Sequence, residues 1–454
     1  MANIKVLFWF DVEDYVTPES MDAFRGLIDL CDSRGIPGIF KIVGEKARML
    51  VELDRQDIIE KLRNHEVGYH TDFHSVHPTI SEYLEHMGFK DGAEQFDRVE
   101  YGGLKDVERI TGMPIECYGQ PGGSWAPQQF PAIRKWGVPV YLDNHEQVKL
   151  NSRPYWYGGL LNFMELTGFM RMELVEDGLE TAKREFDDIY EKLSSEPVGF
   201  VSIVYHPNEF STPRFWDDVN FARGKNPPRS EWQPASPLWP PGAMEAYLAT
   251  LGEFLDYMLS KENVTFITSV EARELERSDK GELAEAQVRQ LAEGLAGDLY
   301  FTQLGDFTLS ASDTHSLFCN YLLGRPLSPE LIYGPETDTA SSGSPVVTVR
   351  ELKQAIAAPY PDVFGFKMLP DTFKAGEALV NPVDLTCTMA KVIRDGLTDD
   401  DEVAIVRGCL RSQQHASDDD FWGKGWIIFP EDFRVPNIVR MSKLQTWTLK
   451  PALF

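Results

Sequence analysis

Cysteine is scarce and nowhere paired. Five residues (Cys31, Cys117, Cys319, Cys387, Cys409) are scattered through 454, and none forms a Cys-X-X-Cys pair. That excludes a disulfide framework and a thiolate zinc site. Positive charge is also short. The 44 lysines and arginines face 71 acids, for a net charge of −27, so the basic face that nucleic acid or an anionic membrane requires is missing. No apolar run approaches the roughly 20 residues of a membrane-spanning helix. The opening Met-Ala-Asn-Ile-Lys lacks a basic n-region, and the apolar Val6–Phe10 is too short for a secretory h-region. The expectation is a soluble cytoplasmic protein with no nucleic-acid or membrane partner. Core material, by contrast, is plentiful: 43% of the residues are hydrophobic, which excludes a disordered chain.

At roughly 150 residues per domain, the length suggests two or three domains, or one barrel with an appendage. The first half alternates short apolar runs with amphipathic stretches. Strands are expected at Ile4–Phe10, Ile36–Val43, Val67–Tyr69, Ile115–Tyr118, Val138–Leu142, Phe200–Tyr205 and Val264–Thr268. Helical spacing marks Pro18–Arg34, Asp57–Asn64, Glu180–Leu193 and Ala243–Ser260, and Thr79 with Glu82 forms a capping box ahead of another helix. Strand alternating with helix implies a parallel α/β sheet, open or closed into a barrel. Around Ser278-Asp279-Lys280-Gly281 the pattern changes. This predicts a boundary between a domain of residues 1–277 and a mostly helical module of residues 278–454. The module carries a weak internal duplication, Val288–Leu291 with Val349–Leu352, Leu304-Gly305-Asp306 with Leu369-Pro370-Asp371, and Ser312-Asp313 with Val383-Asp384.

The chemistry-bearing residues stand at strand ends, where parallel α/β folds place their sites. Asp11, His70, Asp143 and His206 each close an apolar run. His70-Thr71-Asp72-Phe73-His74 spaces two histidines four apart, on one face if the segment is a helical turn, so both imidazoles can reach one cation. Asp11-Val12-Glu13-Asp14 gathers three mutually repelling carboxylates, which a divalent cation relieves. Two histidines with one carboxylate is a zinc donor set of the catalytic kind. His206 has the side chain best suited to acid–base work near neutrality.

Together these motifs resemble the polysaccharide deacetylase (NodB-like) family over residues 4–275. Its Thr-Phe-Asp-Asp motif corresponds to Phe10-Asp11 and the acids after it, in a spaced form through Glu13. Its His-Ser/Thr-X-X-His motif is matched in full by His70, Thr71 and His74. Its Leu-X-His motif is matched by Val204-Tyr205-His206. The resemblance implies a distorted (β/α) barrel and a divalent metal ion, zinc foremost, held by His70, His74 and either Glu13 or Asp14. It implies Asp11 as general base and His206 as general acid. One motif departs: where the family has Arg-X-Pro-X-Gly, this chain has Gly119-Gln120-Pro121-Gly122-Gly123, without the arginine that orients the catalytic aspartate. Gln120, Gly122, Gly123, Trp125 and Asp143 are the expected substrate-side residues, the two glycines opening the backbone toward an oxyanion. The activity implied is hydrolysis of an N-acetyl or similar acyl group on an amino sugar or related small molecule. The alternatives are a cyclic amide or imide hydrolase of the same fold and a non-catalytic carbohydrate-binding protein. A homo-oligomer remains open. The connection Asn208–Gly242, with Phe215, Trp216, Trp232 and Trp239, is long enough to serve as a lid or a binding wall.

Overall fold

The computed structural model describes residues 3–145 and 147–454; Met1 and Ala2 of the opening segment lie outside them. Ten strands of one sheet follow in chain order: β1 (Asn3–Val12), β2 (Ile39–Ile42), β3 (Glu66–Tyr69), β4 (Cys117–Tyr118), β5 (Val140–Leu142), β6 (Tyr155–Tyr157), β7 (Leu160–Phe163), β8 (Gly168–Met170), β9 (Val198–Tyr205) and β10 (Val264–Phe266). β1 is central. It runs parallel to β9 on one edge, and on the other to β10 near its start and β2 near its end. That is why Val6 to Phe10 are buried almost without exposure and read as a continuous apolar run. The order β6-β7-β5-β4-β3-β2-β1-β9-β8 is parallel except for β6. With its flanking helices it curls into a distorted (β/α) barrel.

The helix Glu19–Asp32 buries Phe24, Leu27, Ile28 and Cys31, the stripe its spacing predicts. Strands β6 to β8 are not among the expected ones. A signal for the first two is present: Tyr155-Trp156-Tyr157 and Leu160–Phe163 flank Gly158-Gly159, whose positive φ angles of 61° and 85° form a tight hairpin turn.

The segment after β3 is fixed from the helix Phe89–Thr111. Glu100 on that helix accepts hydrogen bonds from Tyr69 Oη and Asp72 N, both at 2.8 Å. Burial, reinforced by Asp72, pushes the Glu100 carboxyl up to about 7. A carboxyl kept neutral in the folded chain but ionised in the unfolded one contributes stability at low pH. That contribution is lost as pH rises from its ordinary 4.5 through 7. Glu100→Gln is therefore expected to raise stability at pH 8 by on the order of 3 kcal/mol and to change little at pH 4. Denaturant unfolding at both pH values checks this.

From Leu283 onward a second core forms around Val288, Leu309, Leu317, Leu352, Leu385 and Met389. It contains two runs of the same order. The helix Glu285–Gly294, a hairpin of Thr302–Leu304 and Phe307–Leu309, and the helix Ala311–Leu322 form the first. The helix Val349–Ala357, a hairpin of Phe373–Ala375 and Ala378–Val380, and the helix Pro382–Asp395 form the second. Ser310 and Asn381 cap the closing helices through Asp313 N and Asp384 N. The hairpin turns are Gly305-Asp306 and Gly376-Glu377, so Leu304-Gly305-Asp306 corresponds to Ala375-Gly376-Glu377, not to Leu369-Pro370-Asp371. The chain then returns to the barrel. Val435, Ile438, Val439 and Leu449 join the barrel core, and a strand at Lys450–Pro451 pairs antiparallel with β6. Among the described residues no helix is long and apolar enough to cross a membrane.

Candidate active site

Asp11, Glu13, His74, Asp143 and His206 line one cavity of about 570 Å³, and His70 lies buried beside it. All six come from the carboxyl ends of β1, β3, β5 and β9 or the turns that follow them.

Glu13, His70 and His74 converge. One donor atom from each lies within 4.8 Å of the others, and all three residues are buried. The two histidines do not share a helical face as their spacing suggests. Residues 70–74 form an irregular turn in which Thr71 and His74 take left-handed φ angles of 69° and 55°, and this bends both rings toward Glu13. The Nε2 atoms of His70 and His74 lie 3.6 and 2.8 Å from Glu13 Oε2. Neither has a hydrogen-bond partner among the described residues.

The far side of each ring fixes its orientation. His70 Nδ1 is 3.1 Å from the Gly119 carbonyl, which can only accept, so the proton sits on Nδ1 and the Nε2 lone pair faces Glu13. His74 Nδ1 is 2.6 Å from Ser75 Oγ, which donates to Asp217 Oδ2 at 3.0 Å. Ser75 must then accept from His74 Nδ1, again turning Nε2 inward. The other oxygen of Glu13 accepts from Trp216 Nε1 at 3.1 Å. Such outer contacts are what orient metal-ligating side chains.

Burial pushes His70 below its ordinary pKa. At His74 burial also opposes the charge, but Glu13 outweighs it and the net shift is upward. Despite burial, Glu13 is held well below the usual carboxylate range by His74 and His206. The centre of this cluster therefore calls for positive charge.

Asp14 does not reach this cluster. Its Oδ1 accepts from Val16 N and Thr17 N at 2.9 and 2.8 Å, and burial pushes its carboxyl up to about 6. Glu13 is the acid the fold delivers to the histidines. The chain reverses at Asp14, which spends its side chain on that turn.

A residue outside the expected set sits beneath Asp11. Lys41 on β2 is directly across from Asp11 in the strand register and fully buried. Its Nζ lies 2.9 Å from Asp11 Oδ1 and 3.0 Å from Asp143 Oδ2, and donates to the Leu142 carbonyl. It also lies 4.0 Å from the centre of the Trp9 ring. Lys41 is thus a buried cation placed against Asp11. Burial works to raise the pKa of Asp11, but His70, Lys41 and His206 outweigh it and the net shift is downward. Asp143, which shares the lysine, is pushed up to about 7 by burial.

Opposite Asp11 stands His206, with Nε2 3.7 Å from Asp11 Oδ2. Its Nδ1 pairs with Glu209 Oε1 at 2.5 Å, and Glu209 is itself bound by Arg171. Burial resists protonation of His206, but Glu13 and Glu209 overcome it and raise its pKa to about 9. Gln120 lines the cavity. Its Oε1 accepts from Tyr141 Oη at 2.8 Å, and its buried Nε2 has no partner among the described residues.

Of the other expected substrate contacts, Gly122 lines the cavity, and Trp125 and Gly123 do not. Trp125 is 1% exposed and packs among Phe130, His145 and Tyr157, as its size and the apolar helix after it favour. Gly122 and Gly123 are glycines for a packing reason. At Gly122 (φ 47°) a Cβ would stand 2.3 Å from the Trp426 ring, and at Gly123 one would stand 3.3 Å from Trp426 Cβ. Their missing side chains make room for Trp426. In the long connection, Trp216, Trp232 and Trp239 are anchors, bonded to Glu13, the Pro227 carbonyl and the Glu209 carbonyl. Phe215 is the aromatic that faces the cavity.

No family model matches this sequence, and no curated protein does. Among solved structures, the chain is similar to a protein described as a polysaccharide deacetylase from Mycobacterium smegmatis, at 14% identity and a TM-score of 0.39 over 60% of this chain and 90% of that one. It is similar to the Puue allantoinase with the same four values. It is also similar to a 4-alpha-glucanotransferase from Thermococcus litoralis, at 15% identity and a TM-score of 0.40 over 60% of this chain and 40% of that one. Three different chemistries at this level of likeness do not select one. The side chains of the cavity must do so.

Proposed function

We propose that this protein is a metal-dependent amide hydrolase that removes an acetyl or similar acyl group from an amino sugar or related compound. The observation that carries the reading is the convergence of Glu13 Oε2, His70 Nε2 and His74 Nε2, all buried, on one point. Acceptors this close repel one another unless a cation lies among them, and a nitrogen, nitrogen and oxygen set suits zinc. A divalent ion held there supplies Lewis acidity and draws the pKa of water toward neutrality.

The remaining steps belong to the chain. Asp11, ionised beside Lys41, takes a proton from the water that attacks the acyl carbon. His206, held protonated by Glu209, gives its proton to the nitrogen as the C–N bond breaks. The products are a carboxylic acid and an amine. The free N–H of Gln120 is a donor for the carbonyl oxygen as charge develops on it, the kind of contact that stabilises an oxyanion.

Elemental analysis tests the reading. Wild-type protein and Asp14→Asn are expected to carry one divalent ion per chain, and His70→Ala/His74→Ala none. Acetate release from N-acetylated sugars is expected to vanish with the metal. A metal-free wild type that stays so after reconstitution overturns the mechanism.

A further inference from the structure

The second core is followed by a segment that contributes one wall of the cavity. Trp426 and Ile427 both line the cavity. The Trp426 ring stands edge-on to His74 at 5.6 Å, with an interplanar angle of 87°, in the space that Gly122 leaves open. The segment is tied to the wall on the other side. Arg223 N and Gly224 N donate to the carbonyls of Ile427 and Ile428 at 2.9 and 3.0 Å, and the Arg223 guanidinium donates to the Gly423 carbonyl. Ile428 is buried in a cluster with Tyr15 and Trp216. That opposite wall carries Phe215, whose ring meets His206 edge-on at 5.0 Å. The cavity thus has one aromatic beside the metal ligands and another beside the proposed acid, on two segments bonded to each other.

We propose that this strap makes the site specific for a free amino sugar or the terminal unit of a saccharide, with Trp426 as the specificity-determining wall. The proposal rests on the amide-hydrolase reading above and names its substrate class. A flat apolar ring suits the C–H face of a sugar. Asp143, Asp217 and Asp218, which also line the cavity, are acceptors for its hydroxyls. A volume of about 570 Å³ lies within the range of sites that enclose one compact ligand, about 300–1,000 Å³. A polymer threaded across the site would need to leave past Trp426 and Ile427, where the strap is stapled to the loop.

The test uses the full chain loaded with zinc and two probes, N-acetylglucosamine and its linear β-1,4 pentamer. Wild type is expected to bind and deacetylate the monomer, and to act on the pentamer at a terminal unit. Trp426→Ala is expected to raise KM and the calorimetric Kd for the monomer by at least about tenfold, with metal content retained, and Trp426→Phe to restore most of the loss. Deacetylation of internal pentamer units as readily as terminal ones overturns the proposal. So does hydrolysis whose KM is the same in Trp426→Ala, although the amide-hydrolase reading then survives. Monomer binding that depends on Trp426 without any hydrolysis sustains the specificity wall and overturns the chemistry. Neither binding nor hydrolysis of either probe overturns both.

Discussion

Asp11→Asn is expected to lower kcat by roughly 10²–10⁴-fold while the protein keeps its metal. The carboxylate lies outside the Glu13, His70 and His74 group, although it makes a second close group with His70 and Asp143. Its oxygens meet Lys41 on one side and His206 on the other. An amide in that place fills the same volume and can still accept from Lys41, but it cannot take a proton. Removing a general base alone therefore costs rate, not metal affinity. Steady-state kinetics beside elemental analysis separate the two. Loss of metal along with activity would return Asp11 to the ligand set, and activity near the wild-type level would remove it from the mechanism.

Lys41→Met carries the second large effect, and it is double. The substitution leaves Asp11 and Asp143 buried and facing one another with no cation between them. Truncating one member of a buried ion pair commonly costs about 3–5 kcal/mol of stability. The chemical effect comes from the sign of the same interaction. Lys41 holds the Asp11 pKa down, so its loss moves that pKa up. The acid limb of the kcat/KM profile should shift to higher pH, with activity recovering as the pH is raised. Lys41→Arg, which keeps the charge, should leave the limb near its wild-type position even if packing lowers the rate. A lowered rate with an unmoved limb in Lys41→Met would mean that the lysine only supports the fold.

The difference between Asp11 and Lys41 shows which parts of the site can be read from sequence. Asp11, His70 and His206 are polar residues that end apolar runs, so each announces itself within a window of a few residues. Glu209, three residues after His206 in a short turn, ends no apolar run and gives no such signal. Lys41 sits inside the strand Ile39-Phe40-Lys41-Ile42, where a lone lysine looks like an edge residue. Its meaning lies in the register with β1 and in Asp143, 102 residues onward. Asp217 is more distant in kind: it is tied to His74 through Ser75, and no spacing encodes a relay. The barrel strands are legible because burial on both faces makes them uniformly apolar. Strands β6 and β7 are less so because Tyr-Trp-Tyr and Leu-Leu-Asn-Phe resemble loop anchors until the Gly158-Gly159 turn is weighed. Trp125 and Gly122 mislead for opposite reasons, one a core aromatic and the other a glycine whose reason lies 304 residues away, the interval between Gly122 and Trp426.

The return of the chain to the barrel also sets a timetable for its birth. Ribosomes deliver about 5–20 residues per second, so the interval from β10 to the strand at Lys450–Pro451 is on the order of 10–40 s. During that time the nascent barrel already contains Glu13, His70 and His74, but the outer edge of β6 is unpaired and the place of Trp426 is vacant. An open strand edge invites pairing with another chain. That edge is covered only when Lys450–Pro451 pairs with β6, and the cavity wall is complete only once Trp426 and Ile427 are in place.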